Sequence, residues 1–255
     1  MTSHLRLEFD SGIATLTIDR PHKRNAMTLE MWSEFPDLAA RVDASPEAKV
    51  LVIRGGEHFS AGADINEFAT VRTGPEGGQR YNAVVDRAEE AITRLSKPTI
   101  AAVTGYCIGG GCELAVACDI RIGTPETVMA ITPAKLGLVY TYHSTRALIR
   151  LVGPSWAKQM LYTGDPVSAG QAERIGLLNE VVAVEALDRR IAELASTICS
   201  RAQTTVHSTK VIIEKILADS GEDQAVADLY AHGYTSADYA EGVAAFVAKR
   251  QPQFR

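Results

Sequence analysis

The chain has little that would suit it to membranes or nucleic acids. It contains no apolar run approaching the roughly 18 residues that span a bilayer. Its polar start, MTSHLRLEFDSG, lacks the apolar core of a signal peptide. Its formal net charge is -5, whereas nucleic-acid binding needs a basic face. We therefore expect a cytoplasmic protein without membrane or nucleic-acid partners.

Cysteine is also scarce, with four residues among 255: Cys107, Cys112, Cys118 and Cys199. None belongs to a C-x-x-C pair, and no histidines stand at zinc-finger spacing around them. We expect reduced, mostly buried thiols and no metal site. The hydrophobic share of 46% and the charged share of 22% are those of a globular α/β domain of this length.

Strand-like and helical segments alternate along most of the chain, which predicts an α/β core. The apolar segments Lys49 to Arg54 and Pro98 to Val103 are typical of strands covered on both faces. Thr28 is placed to cap a helix that follows it. Val71 to Gly78, which contains glycine and proline, predicts a mobile loop. From Leu187 to Lys249 the pattern is almost purely helical.

The most informative segment is GYCIGGGCELA, Gly105 to Ala115, in which an apolar strand ends, glycines follow and a helix of small residues begins. Glycine lets a ligand approach the backbone closely. The first N–H groups of a helix have no internal partner, and the helix dipole favours negative charge there. The segment therefore predicts a site for an oxyanion.

A second segment of small residues, FSAGAD from Phe59 to Asp64, also follows a strand and begins a helix. One backbone N–H from each segment would form an oxyanion hole if the two converged on one oxygen atom. The glycines match neither the dinucleotide-binding fingerprint nor the phosphate-binding P-loop.

Both segments resemble the crotonase (enoyl-CoA hydratase/isomerase) family. The stretch KPTIAAVTGYCIGGGCELAVACDIRI, Lys97 to Ile122, is similar to the family signature, and HFSAGADINEF, His58 to Phe68, to the family's other oxyanion loop. Ile18 to Met27, Leu161 to Val182 and Glu241 to Phe254 are similar as well, so the resemblance covers most of the chain in order.

The resemblance implies an α/β fold, a crotonase-like spiral of β-β-α units with a C-terminal helical trimerisation region. We expect residues 1–195 to form the spiral core and residues 196–255 the oligomerisation region of a homotrimer or homohexamer. The implied substrate is an acyl-CoA thioester, so coenzyme A enters as part of the substrate and no cofactor or metal is needed.

The resemblance also implies the roles of individual residues. The N–H groups of Ala63 and Gly110 would bind the thioester oxygen, and Glu113 matches one of the two family glutamates that add water. A partly buried carboxylate there would have its pKa raised toward the working pH. The other interpretation of Glu113 is an acid at a helix start, favoured by the dipole.

Contacts to coenzyme A are implied for a second set of residues. Lining the adenine and pantetheine path would be Ser60, Ala61, Asp64 and Ile65. Lys23 or Arg24 would lie near the phosphates, unless they are only solvated charges. Phe246 and Lys249 would reach the coenzyme A of the same or a neighbouring subunit.

One departure from the family leaves the reaction open. The position of the second glutamate holds Pro133, or Ala134 if the alignment slides by one, and neither moves a proton. The lead interpretation is an enoyl-CoA hydratase or double-bond isomerase. The alternatives are a methylmalonyl-CoA-type decarboxylase, with Tyr140 and His143 orienting the leaving carboxylate, or a non-catalytic acyl-CoA-binding homologue. Tyr140 and His143 are otherwise pocket wall or surface.

Overall fold

The computed structural model describes residues 4–254. Within them the chain forms nine strands: β1 Leu5–Asp10, β2 Ile13–Ile18, β3 Val50–Arg54, β4 Thr99–Val103, β5 Tyr106–Ile108, β6 Ile120–Gly123, β7 Val128–Ala130, β8 Val167–Ser168 and β9 Glu180–Val181. The α-helices are α1 Leu29–Ala44, α2 Phe68–Val71, α3 Gly74–Thr93, α4 Gly110–Ala117, α5 Pro133–Leu136, α6 Tyr142–Thr163, α7 Ala169–Arg174, α8 Leu187–Cys199, α9 Gln203–Leu217, α10 Gln224–Thr235 and α11 Ala237–Val247.

The main sheet has six strands in the order β1-β2-β3-β4-β6-β9, and all pairs except β1 with β2 are parallel. A second sheet has three strands in the order β5-β7-β8. Parallel strands need crossover connections, which the intervening helices supply. Because β5 follows β4 after a turn at Gly105, the chain passes from one sheet to the other where the glycine-rich segment begins.

The two apolar strands predicted to be covered on both faces, β3 and β4, are covered in that way. Alternate side chains of a strand point to opposite faces. Val50 and Ile100 pack with Leu187 of α8 on one face, whereas residues of the other register join the larger core formed with α1 and α3. Burial on both faces excludes water from the sheet, so the site-bearing loops rest on a rigid support.

The predicted cap of α1 is confirmed, since the Thr28 hydroxyl accepts a hydrogen bond from the N–H of Met31 at 3.2 Å. The loop predicted for Val71 to Gly78 is reduced to Arg72 and Thr73, because α2 ends at Val71. Helix α3 already begins at Gly74, with Pro75 in its first turn, where the missing N–H of proline costs nothing.

The predicted boundary at residue 195 falls inside α8, which packs on β2, β3, β4 and β6 and so belongs to the core. Helices α9, α10 and α11 follow it and bury very few side chains within one chain. Ile216, Tyr234 and Phe246 are 70%, 73% and 85% exposed. None of the helices within residues 4–254 is long and apolar enough to cross a membrane.

Candidate active site

The two segments of small residues meet side by side. The N–H of Ser60 donates to the carbonyl of Tyr106 at 2.9 Å, and the N–H of Ile108 donates to the carbonyl of Ser60 at 3.0 Å. A Cβ on Gly62, whose φ is +91°, would lie 2.5 Å from the Ile108 oxygen, and one on Gly111 would lie 2.5 Å from the Ser60 oxygen. Only glycine permits this approach at either position.

The close approach brings together two N–H groups without acceptors. Neither Ala63 nor Gly110 donates a backbone hydrogen bond within residues 4–254. Gly110 begins α4, so its N–H lacks an intrahelical partner. Gly109 before it has φ 53° and ψ -123°, which favour glycine. The Cβ position of Gly62 lies 3.2 Å from the Gly110 nitrogen, so the two turns are in contact.

The side chain of Ser60 holds this loop, and the place of Ser60 along the coenzyme A path stays a prediction. The side chain has no exposed surface. Its hydroxyl donates to the carbonyl of Asn25 at 2.7 Å and accepts from the N–H of Gly62 at 3.1 Å. Asn25 in turn donates to the His58 carbonyl at 2.7 Å, which ties the loop to the segment before α1.

The side chain of Asp64 has a similar structural role, and the place of Asp64 on the path likewise stays a prediction. It is buried and pairs with Arg20 at 2.7 Å. Burial alone would raise the pKa of Asp64, but hydrogen bonds from Arg20 and from Asn66 hold the pKa below its usual value. The carboxylate is therefore ionised and occupied at neutral pH.

The turns open into one pocket, which we call the central pocket. Its walls come from the oxyanion loop, α1 to α4 and the segment around α5. Lining it are Trp32, Ala61, Gly62, Ala63, Ile65, Phe68, Arg72, Tyr81, Asn82, Val85, Gly109, Gly110, Glu113, Thr132, Pro133, Leu136, Leu138, Val139, Tyr140, Thr141 and Ser144. The predicted path residues Ala61 and Ile65 are among them.

Glu113 is the one carboxylate among these lining residues. Its Oε2 lies 3.6 Å from the Cβ position of Gly110, beside the N–H groups that have no acceptor. Burial raises the pKa of Glu113 to about 7, with Asp86 adding to the rise and Ser144 and Arg72 opposing it. A carboxyl with that pKa both takes up and releases a proton near neutral pH.

A second buried acid, which sequence reasoning missed, lies behind Glu113. Glu89 on α3 is 1% exposed and accepts from the Ser144 hydroxyl at 3.0 Å. Burial first, and the charge of Glu113 second, raise the pKa of Glu89 well above its usual value. Ser144 lines the central pocket and also lowers the pKa of Glu113, so one hydroxyl interacts with both acids.

Tyr140 and His143 are close in sequence, but of the two only Tyr140 lines the central pocket. Tyr140 lines the pocket, and its hydroxyl lies 3.8 Å from the Cβ position of Gly109. Burial and the charge of Glu113 raise the pKa of Tyr140, so its phenol stays protonated. His143 is in the first turn of α6 and turns away from the pocket, with Nε2 3.8 Å from Glu89. It does not line the central pocket, and its role toward a reacting carboxylate stays a prediction.

The structure also distinguishes Pro133 from Ala134, the two candidates for the position of the second family glutamate. Pro133 is buried in the pocket wall, whereas Ala134 is exposed and does not line the pocket. A proline therefore stands where the chain would have to carry a second pocket carboxylate.

The predicted coenzyme A contacts remote from the loop do not line the pocket in this chain. Lys23 and Arg24 are exposed in and after a short 3-10 helix, and the Arg24 guanidinium lies 5.4 Å from the Tyr106 ring centroid. Phe246 lines a separate groove between α9, α10 and α11, and Lys249 follows α11. Contact of the last two with a neighbouring subunit's ligand stays a prediction.

Comparison with known proteins gives the family. The family model for enoyl-CoA hydratase/isomerase matches residues 8–255. The chain therefore belongs to the enoyl-CoA hydratase/isomerase family, and the predicted family and α/β crotonase-like fold are confirmed.

Relatives that are named for different reactions are similar to this chain. Crotonyl-CoA hydratase of Syntrophomonas wolfei is 35% identical over 252 residues, which cover 97% of this chain and 96% of that protein. The peroxisomal Delta(3,5)-Delta(2,4)-dienoyl-CoA isomerase of Arabidopsis thaliana is 30% identical, covering 98% and 95%. A crystal structure of an enoyl-CoA hydratase/isomerase family protein from Hyphomonas neptunium matches with a TM-score of 0.95 at 34% identity, covering 100% and 98%.

The contact between the turns predicts the effect of Gly62→Ala. The added Cβ would meet the Ile108 oxygen and strain a positive φ, so the Ala63 N–H would move away from that of Gly110. We expect kcat to fall by about 10²- to 10³-fold, the usual loss for one oxyanion donor. Steady-state kinetics, with Tm measured alongside, test this. Gly78→Ala, where nothing lies within 4 Å, is the control and should leave kcat unchanged.

Glu89 predicts a decline of stability with rising pH. Because its folded pKa is raised, the folded state holds more protons than the unfolded state above about pH 4.5. The free energy of unfolding therefore falls as pH rises, by at most about 1.4 kcal/mol per pH unit for each such group. Urea unfolding of Glu89→Gln from pH 5 to 8 should show a shallower decline. An unchanged decline, as expected for Glu90→Gln, would contradict the assignment.

Proposed function

We propose that the protein is an enoyl-CoA hydratase or double-bond isomerase in which Glu113 is the sole pocket carboxylate that moves protons. One observation carries the proposal. A carboxyl with a pKa of about 7 stands beside two N–H groups without acceptors, which belong to Ala63 and Gly110. Carbanion chemistry next to a thioester needs this combination, because the base removes a proton while the donors stabilise the charge that appears on oxygen.

Isomerisation is the simpler of the two reactions for this pocket. The Glu113 carboxylate takes a proton from C2 of a 3-enoyl thioester, and the electron pair moves through C2 to the carbonyl oxygen between the Ala63 and Gly110 N–H groups. Return of that proton to C4 shifts the double bond to C2=C3 and restores the carboxylate. One carboxyl group suffices, because atoms and charge balance without a second acid.

Hydration is the more demanding reaction for Glu113. Water must lose a proton as it attacks C3, and C2 must gain one as the enolate collapses. With Pro133 in the pocket wall instead of a second acid, Glu113 would have to perform both transfers in turn. The 35% identity to a protein named crotonyl-CoA hydratase supports keeping this reaction beside isomerisation.

The decarboxylase alternative is weakened by the position of His143. Tyr140 lines the pocket with a protonated hydroxyl, as an orienting donor should, but His143 faces Glu89 instead. The binding-only alternative leaves the raised pKa of Glu113 without a use. Both therefore rank behind the hydratase/isomerase proposal.

Coenzyme A would lie along Ala61 and Ile65, which line the pocket. Arg24 would lie near its phosphates, since the Arg24 carbonyl accepts the Ala61 N–H at 2.9 Å and so stands beside this wall. Phe246 and Lys249 would be contributed by a neighbouring subunit.

A homotrimer or homohexamer accounts for the exposed apolar side chains of α9 to α11. Single apolar residues on a surface are ordinary, but a concentration of them marks an interface. Sedimentation equilibrium at micromolar concentration should give the mass of three or six chains. A mass of one chain would contradict the assignment of these helices to an interface.

Glu113→Gln tests the proposed chemistry. We expect turnover of 3-hexenoyl-CoA and crotonyl-CoA to fall by at least about 10²-fold, the low end for a positioned acid/base group, with coenzyme A affinity unchanged. For the wild type, kcat/KM in isomerisation should fall about tenfold per pH unit below pH 7, because the base must be ionised and its pKa is about 7.

Mass-detected chromatography of the thioesters separates the reactions. An isomer of unchanged mass indicates isomerisation, and gain of one water indicates hydration. Loss of carbon dioxide from methylmalonyl-CoA alone would favour the decarboxylase. Glu76→Gln, an exposed acid in the first turn of α3, is the control and should keep full turnover. Full turnover by Glu113→Gln would refute the proposal.

A further inference from the structure

The central pocket contains a positive charge that the proposed chemistry does not use. Arg72 follows α2 and lines the pocket on the side of α3. Its guanidinium stacks 4.7 Å from the ring centroid of Phe68 and 4.2 Å from that of Tyr81. Its Nη2 donates to Asn82 Oδ1 at 2.8 Å. Two rings and an amide therefore fix the group in the wall.

This guanidinium has no acidic partner among residues 4–254. No carboxylate there comes within the 4.0 Å that defines an ion pair with Arg72. The bond to Asn82 is the one side-chain hydrogen bond that Arg72 donates within those residues. A guanidinium has five N–H donors in a fixed fork, so most of them are unused.

A purely electrostatic role toward Glu113 does not explain this placement. Arg72 lowers the pKa of Glu113, but burial outweighs it and the pKa still rises to about 7. A residue present only to neutralise Glu113 would contact that carboxylate, whereas Arg72 is held by two aromatic rings and Asn82 and forms no ion pair with it.

An apolar acyl group in the pocket would destabilise the charged guanidinium of Arg72. Filling the pocket with hydrocarbon removes water from the charge without giving it a counter-charge, which is costly. A ligand carboxylate would supply both, since its two oxygens match the guanidinium fork.

We propose that the acyl group of the substrate carries a carboxylate remote from the thioester, and that Arg72 binds it. The inference rests on the proposed function, because the thioester end must lie in the hole formed by Ala63 and Gly110. It narrows the substrate class to coenzyme A monothioesters of dicarboxylic acids. Arg72 then determines specificity, and Glu113 still moves the proton.

Binding of unreactive saturated thioesters tests this without requiring turnover. Glutaryl-CoA is compared with 5-methylhexanoyl-CoA, in which two methyl groups replace the carboxylate oxygens. Succinyl-CoA is compared with 4-methylpentanoyl-CoA in the same way. By calorimetry, the wild type should bind at least one dicarboxylic thioester about 10- to 100-fold more tightly than its branched isostere, the usual effect of hydrogen bonds to a charged group.

Variants assign the preference to the guanidinium. Arg72→Met should abolish it while leaving affinity for the branched isosteres unchanged or improved, and Arg72→Lys, which keeps the charge without the fork, should retain part of it. Arg80→Met, an exposed position on α3 outside the pocket, is the control and should keep the full preference.

A preference for both branched isosteres, or a dicarboxylic preference that survives in Arg72→Met, would overturn the inference and leave the proposed function standing. Failure of the wild type to bind any of the four thioesters, with the folded state confirmed by circular dichroism, would instead refute the acyl-CoA assignment and the role of Arg72 with it.

Discussion

The site depends on one constraint, the contact between two turns of backbone that belong to different parts of the chain. Ser60 exchanges two backbone hydrogen bonds with the strand Tyr106–Ile108, and Gly62 and Gly111 remove the side chains that would keep the turns apart. Two sets of buried polar contacts stabilise the loop that makes this contact. The Ser60 hydroxyl and the ion pair of Asp64 with Arg20 are buried, and their contacts fix the loop.

The raised pKa values of two buried acids follow from the space that this contact leaves around Glu113. Glu113 must lie next to the hole, in a wall of aromatic and aliphatic side chains, so its charge is poorly solvated and its pKa rises. Glu89 lies deeper and is more strongly affected, because the charge of Glu113 adds to its burial. Two acids joined through Ser144 hold a proton inside the protein near neutral pH, at a cost in stability that the sheet core must offset.

The sequence predicted the parts of the site that depend on local backbone. Strand, glycine turn and helix start are neighbours in the chain, so the hole and Glu113 could be inferred from spacing and resemblance. Glu89 could not, because an acid on a helix is usually on a solvated face, and its burial depends on α6 packing beside α3. Arg72 lay in a segment interpreted as a loop. His143 and Tyr140 are close in sequence but separate in the structure, because α6 begins at Tyr142.

The N–H groups of Ala63 and Gly110, which we propose form the oxyanion hole, belong to the main chain. Mutations that change pocket side chains therefore act separately from mutations that displace these two groups. A mutation can exchange Pro133, Tyr140 or Arg72 without touching either N–H group, so the proposed capacity to stabilise an enolate would persist while the groups that decide the fate of the enolate change. A descendant of this chain would acquire a new reaction by altering the pocket wall one side chain at a time. A single methyl group added at position 62 or 111 would instead displace the turns themselves and weaken every such reaction together.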